Sequence, residues 1–309
     1  MLQEFDLKSM GNPEYMIGMN ICRSKGKISI SQHEYIREIC NRFEIQHSRK
    51  VDSPASAEGQ KCLCKKGFRD RKEIKPADSK KYRSLVGALM YAVLTRPDIA
   101  APVSMAARYL HNPCEDHMQF ALRILKYLHT TSDIRLIYTK TAHPKLICYA
   151  DSSWLQEDDS AGCRFGFLIF YGHALVSWKS KLHKNICLSS AEAEYICATQ
   201  ATKEAKWLSF IVSEINEKCT DILPIKLLED NTACIKMAKN PIISGRNKHM
   251  GCKLAYLREQ VSEGVICMEY IQTKQQLADF LTKNLPSPTF KYLRDCVLDP
   301  GAEKPHGLC

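Results

Sequence analysis

An α/β fold in which helices cover a mixed sheet is predicted by three features of this 309-residue sequence. Its second half carries short apolar segments with the length and texture of strands. Longer stretches of helical period stand between and after them, chief among them 191–215. Their order is several strands, a long helix, a strand, helices, a strand and a last short helix, which suits a mixed sheet covered by helices. The composition agrees, with 45% hydrophobic and 25% charged residues, 14 Gly and 13 Pro. Disordered, collagen-like and other fibrous chains are excluded.

The elements follow in order. Residues 15–21 and 27–30 read as strands, and 32–43 as a helix with Tyr35, Ile36, Ile39 and Phe43 on one face. Between Pro54 and Pro76 the periodicity collapses into a polar stretch carrying Lys65, Lys66, Arg69, Arg71, Lys72 and Lys75, which marks 51–81 as a basic linker. Helices are expected over 82–95, 99–110 and 115–129, divided by Arg96-Pro97 and Asn112-Pro113. The stripe Phe120, Ile124, Leu125 and Leu128 on the third is packing surface, not chemistry. Strands are expected at 136–138, 146–150, 165–171, 174–178 and 186–188, then the helix 191–215 and the strand 222–228. A helix begins near Asp230 and another precedes Gly264, with a strand at 265–271 and a short helix at 275–283.

The net charge of +10 favours polyanionic partners. The longest apolar run, 85–94, falls far short of the ~20 residues of a membrane span, and the first residues lack the basic and apolar regions of a signal peptide. No membrane partner is expected. The 15 cysteines are odd in number. Cys62 and Cys64 find no histidines at zinc-site spacing, and Cys148, Cys197 and Cys234 sit in apolar stretches as small core residues. Such usage points to a reducing compartment, the cytoplasm or the nucleus.

Carboxylates supply the chemistry. Asp151 and Asp230 each follow directly on an apolar strand, where α/β sheets build their sites, although an Asp there can also cap the next helix. Glu194 lies in line with Ala198, Ala201, Ala205, Leu208, Val212 and Ile215, so its charge must be paired or metal-bound. Glu192 has a structural duty instead, because Ser189-Ser190-Ala191-Glu192 fits a capping box. Asp279, on a short helix expected to be exposed, reads by itself as a solvated side chain. A set of hard oxygen ligands with few nitrogen or sulfur partners suits Mg²⁺ or Mn²⁺.

Ordered motifs then carry a resemblance. Asp151-Ser152-Ser153-Trp154, Val176-Ser177-Trp178-Lys179-Ser180-Lys181, Leu188-Ser189-Ser190-Ala191-Glu192-Ala193-Glu194-Tyr195 and Glu229-Asp230-Asn231 form its first part. Lys239-Asn240-Pro241, Arg246-Asn247-Lys248-His249 and Gln276-Leu277-Ala278-Asp279 complete it. Together they resemble the ribonuclease H domain of copia-type retrotransposon Pol polyproteins. Upstream, Tyr82-Arg83-Ser84-Leu85-Val86-Gly87 and Thr95-Arg96-Pro97-Asp98-Ile99 resemble the connection between reverse transcriptase and that domain, and Met16-Ile17-Gly18-Met19 resembles the hairpin near the primer.

The resemblance implies a ribonuclease H-like mixed five-stranded sheet flanked by helices, with the strand before Asp151 central. A partial α+β reverse transcriptase remnant and connection region precede it. It divides the chain into the end of the palm at 1–50, the basic linker at 51–81, a helical connection at 82–141, the ribonuclease H-like domain at 142–288 and a tail at 289–309. It further implies an endonuclease that cuts RNA in RNA–DNA hybrids with two Mg²⁺ ions, or Mn²⁺ in their place. Asp151, Glu194, Asp230 and Asp279 would be both catalytic residues and metal ligands, with His249 a possible auxiliary, and an upstream reverse transcriptase region is the expected partner within a polyprotein. No Tyr-x-Asp-Asp motif occurs, so the chain reads as a truncated piece starting at an internal Met, without polymerase activity. Gly251 and Ala255 stand where the family often has Asp and His. That departure keeps open the alternative of a catalytically decayed fragment that binds nucleic acid or has no function.

Overall fold

The computed structural model describes residues 11–56, 75–154, 163–183, 187–215, 222–240 and 251–298. Most of the basic stretch of the linker, and His249 with its neighbours 241–250, lie outside the described residues.

Two sheets organise the chain. The first has the strand order β1-β2-β3-β4, from β1 (Tyr15–Met16), β2 (Met19–Ser24), β3 (Lys27–Ser31) and β4 (Leu136–Thr139), all antiparallel. The single strand expected over 15–21 is broken by a tight turn, with Ile17 and Gly18 both at positive φ. The expected strand at 136–138 forms, but it pairs with β3 rather than with its sequence neighbours. Helix α1 (His33–Arg42) packs on β2 of this sheet and shares one core with α2 (Ser79–Ala92), α3 (Ala100–Ala106) and α4 (Glu115–Thr130). The helix expected over 99–110 is split, with 3₁₀ turns at Pro97–Ile99 and Ala107–Tyr109 flanking α3.

The second sheet is mixed and has five strands in the order β7-β6-β5-β8-β9. Its members are β5 (Leu146–Ser153), β6 (Cys163–Tyr171), β7 (Ala174–His183), β8 (Ile225–Glu229) and β9 (Ile266–Tyr270). β5, β6 and β7 are antiparallel, whereas β8 runs parallel to both β5 and β9. β5 is the middle strand, as expected. Cys187 and Leu188, expected in a strand, are instead outside any strand at the approach to α5 (Ser190–Ile215).

Alternation along the strands separates two cores. Cys148, Phe167, Ile169, Leu227 and Met268 face α5, α6 (Thr232–Lys239) and α7 (Gly251–Ser262). Tyr149, Leu168, Phe170 and Leu228 face the opposite way, into the core built from α2, α3 and α4. A final helix, α8 (Ser287–Leu298), joins that second core through Phe290, Leu293 and Cys296, so residues 289–298 of the segment expected as a tail are helical and packed. The apolar stripe of α5 ends earlier than its sequence suggests, with Ile215 at the exposed end.

A buried ion pair locks the helical half to α8. Arg96 Nε and Nη2 donate to the two carboxylate oxygens of Asp98 at 2.9 and 2.7 Å, and Arg96 Nη1 donates to Thr131 O at 2.8 Å. Tyr127 donates its hydroxyl to Asp98 at 2.6 Å and accepts from Arg294 of α8 at 3.2 Å. Burial pushes the Asp98 carboxyl up, yet the Arg96 guanidinium outweighs it and holds the pKa below the ordinary value. Asp98→Ala would strand Arg96 uncompensated, so a loss of about 3–5 kcal/mol is expected in urea unfolding. A loss under about 1 kcal/mol would show that the network is not a structural lock.

Candidate active site

Each expected carboxylate reaches the same end of the five-stranded sheet by a different device. Asp151 lies within β5 rather than after it, opposite Gly166 of β6, and is fully buried. The strand runs on to Ser153 because β6 continues to pair with it. Cys197 on α5 donates its thiol to the carbonyls of Asp151 and Gly166 at 3.1 and 3.3 Å, which seats the helix against both strands.

Glu194 sits one turn earlier on α5, 6% exposed. The division of labour with Glu192 follows the capping box. Ser189 Oγ accepts from Glu192 N at 3.2 Å, while the Glu192 carboxylate reaches past Ser189 to accept from Leu188 N at 2.7 Å. Glu194 is left free of capping duty, and its Oε2 is buried without a hydrogen-bond partner.

Asp230 is likewise spared. Asn231 is the N-cap of α6, its Oδ1 accepting from Ala233 N and Cys234 N at 3.0 and 3.2 Å, so the capping explanation for Asp230 falls away. Asp151, Glu194 and Asp230 each offer an oxygen, and these oxygens lie within 4.8 Å of one another.

Asp279 departs from its expected setting. Its segment is a 3₁₀ turn, Leu277–Leu281, and every residue in it is buried. Two contacts draw it in. A Cβ on Gly166 would stand 2.5 Å from Leu281 Cβ, so the turn can approach β6 only because that position is glycine. Gln276, fully buried, donates to Ala150 O at 2.9 Å and to Leu228 O at 3.5 Å, tying the turn to the backbone of β5 and β8. Lys283 then joins Asp279 to Asp151 by ion pairs of 2.8 and 3.0 Å, and Thr282 donates its hydroxyl to Asp151.

Sequence reasoning missed Gln276, Thr282 and Lys283, and it missed a fifth carboxylate. Glu229 is fully buried at the end of β8; one oxygen accepts from Asn231 N at 3.1 Å and the other has no hydrogen-bond partner. The signal was present, since Glu229 alternates with the core residues Leu227 and Ile225 and must share their face.

The electrostatics are those of a crowded anionic pocket. Burial, then repulsion from Glu229, Asp151 and Asp230, pushes Glu194 up to about 11. Burial raises Asp151 to about 7, against the lowering pull of Lys283. Glu229 and Asp279 are also raised, chiefly by burial. These groups bind protons more tightly folded than unfolded. Without a metal ion these carboxyls therefore favour protonation, and a hard divalent ion fits their oxygen donors and the orphaned oxygen of Glu194.

No family model matches the chain. Over 94% of its length it is 30% identical to the Retrovirus-related Pol polyprotein from transposon RE1 of Arabidopsis thaliana, and over 96% it is 33% identical to that from transposon TNT 1-94 of Nicotiana tabacum. The chain spans only 19% and 22% of these relatives. Among solved structures, ribonuclease H1 of Halobacterium salinarum matches 45% of this chain and 94% of its own, at 14% identity and a TM-score of 0.35. The foamy viral protease-reverse transcriptase in complex with an RNA/DNA hybrid matches 75% of this chain and 28% of its own, at 12% identity and a TM-score of 0.36. The sheet itself, three antiparallel strands followed by two parallel ones with the first strand central, has the ribonuclease H-like arrangement expected from the sequence.

The raised Glu194 carboxyl gives a pH signature. Stability due to its proton is complete below the ordinary value of 4.5 and is lost progressively as pH rises toward about 11. With chelator present, urea unfolding should therefore show stability falling between about pH 5 and 7, and Glu194→Gln should flatten that slope and stabilise the chain at neutral pH. An unchanged slope in Glu194→Gln would place its charge elsewhere.

Proposed function

The chain belongs to the copia-type retrotransposon Pol polyprotein family, and on that premise we propose that it carries a metal-dependent ribonuclease H-type endonuclease acting on RNA in RNA–DNA hybrids. The observation that carries this reading is the convergence of Asp151, Glu194 and Asp230 with oxygens within 4.8 Å, where Glu194 also keeps a buried oxygen without a hydrogen-bond partner. Asp279 completes the set from the turn that Gln276 fastens beneath β5 and β8. Two Mg²⁺ ions, with Mn²⁺ as a substitute, are the cofactors proposed, and when bound they would activate water and stabilise the departing 3′ oxygen of a phosphodiester.

The chain's own residues perform the positioning. β5 fixes Asp151 at the centre of the sheet, α5 presents Glu194 across from it, and the β8–α6 junction presents Asp230 while Asn231 does the capping. Basic side chains would hold the hybrid through its phosphates, in keeping with the net charge of +10, and 2′-hydroxyls would mark the RNA strand. We assign this domain to residues 142–288, with the end of the polymerase palm at 1–50, the basic linker at 51–81 and the helical connection at 82–141; of the segment 289–309 expected as a tail, 289–298 belong to the packed helix α8. The upstream reverse transcriptase region would be its partner in a polyprotein, and polymerase activity is not proposed for this chain. The competing reading, a decayed fragment, is supported by Gly251 and Ala255 at positions where the family often has Asp and His.

The test is cleavage of a labelled RNA–DNA hybrid with and without Mg²⁺. Mg²⁺-dependent cutting of the RNA strand is expected, abolished by Glu194→Gln and little changed by Glu192→Gln, since Gln also serves at the third position of a capping box. No cleavage by the intact chain with either Mg²⁺ or Mn²⁺ would favour decay.

A further inference from the structure

Asp151 and Asp279 already share a cation. Lys283 Nζ lies 3.0 Å from Asp151 Oδ1 and 2.8 Å from Asp279 Oδ1, and the Thr282 hydroxyl donates to the remaining oxygen of Asp151. Two further carboxylates stand beside Asp151. There Glu194 keeps a buried oxygen without a hydrogen-bond partner, and Asp230 offers another within reach of Asp151. The cluster thus holds one ammonium, between Asp151 and Asp279, and a further set of oxygens, from Asp151, Glu194 and Asp230, close enough together to take a divalent ion.

The lysine is placed to be displaced. It follows the 3₁₀ turn four residues after Asp279, and its side chain is 35% exposed, whereas the Asp151 side chain is fully buried. Its flexible stem can carry Nζ outward into solvent while the turn stays fastened by Gln276. An ammonium and a divalent ion cannot share one gap between two carboxylates, because they repel at a separation where the field is weakly screened.

Resting on the nuclease reading above, we propose that Lys283 is a tethered competitor for the second metal ion. It braces Asp151 against Asp279 while that ion is absent and has to leave the gap for the ion to bind. The first ion, on Asp151, Glu194 and Asp230, binds without displacing it. Loading is then sequential, with a tight first site and a weak second one, and Lys283 is a positioning residue that sets the concentration at which the site becomes complete.

The test is a Mn²⁺ titration of the full chain, with free ion read by electron paramagnetic resonance, on the unaltered protein, Lys283→Met and Lys283→Arg. The unaltered chain and Lys283→Arg should show one tight and one weak ion. In Lys283→Met the second ion should bind about tenfold more tightly or better while the first is little changed. Its metal-free melting temperature should fall and be restored by Mn²⁺, since the two carboxylates lose their brace. If Lys283→Met fails to fold, Lys283→Gln carries the same comparison. A second ion bound equally or more weakly in the neutral variants would overturn the proposal and leave the nuclease reading standing, because the first ion would still bind. Absence of any bound ion in all the proteins would overturn both.

Discussion

Carboxylates crowded into one dry corner at the end of the central strand impose the constraint around which the sheet end is built. Each charge there is costly to bury, and the cost grows as the others approach. The fold meets the repulsion with the ammonium of Lys283. Glu194 and Glu229 are left with raised carboxyl pKa values and orphaned oxygens. Such an arrangement is unfavourable for stability alone. It becomes intelligible as a receptor for divalent cations, whose charge converts mutual repulsion into shared coordination.

Holding the corner together requires close backbone approach, and small or uncharged residues provide it. Gly166 lets the 3₁₀ turn touch β6, Gln276 donates to carbonyls of two neighbouring strands, and Cys197 bonds the backbone of Asp151 from the helix side. Further out, Trp178 donates to Val93 O and Arg164 donates to Ser104 Oγ, so the sheet is bonded to the helical half of the chain as well as packed on it. The buried Arg96–Asp98 pair extends that framework to Tyr127 and α8.

Most of the architecture was legible because periodicity reports burial. The middle position of β5 and the long helix α5 follow from which residues share a face, whereas the separation of Glu192 from Glu194, which are equally buried, follows from the capping box. Asp230 was legible only in part, since Asp and Asn are adjacent and either could cap the helix; the structure gives that duty to Asn231. What escaped depended on contacts distant in sequence. β4 pairs with β3 across more than a hundred residues, a choice no local pattern encodes. Asp279 looked solvated because its short turn has no long apolar stripe, and its burial is decided by a glycine on another strand. Lys283 looked like an ordinary basic residue, and its partner Asp151 lies 132 positions away.

The central claim is that the carboxylate cluster is a cation receptor. It is tested most directly by equilibrium urea unfolding of the chain at neutral pH with chelator or with saturating Mg²⁺, alongside Asp151→Asn. Linkage predicts that Mg²⁺ stabilises the unaltered chain, by roughly 2.7 kcal/mol at a hundredfold excess over the dissociation constant, and that Asp151→Asn loses most of that gain. Equal stability with and without Mg²⁺, or an equal gain in Asp151→Asn, would contradict it.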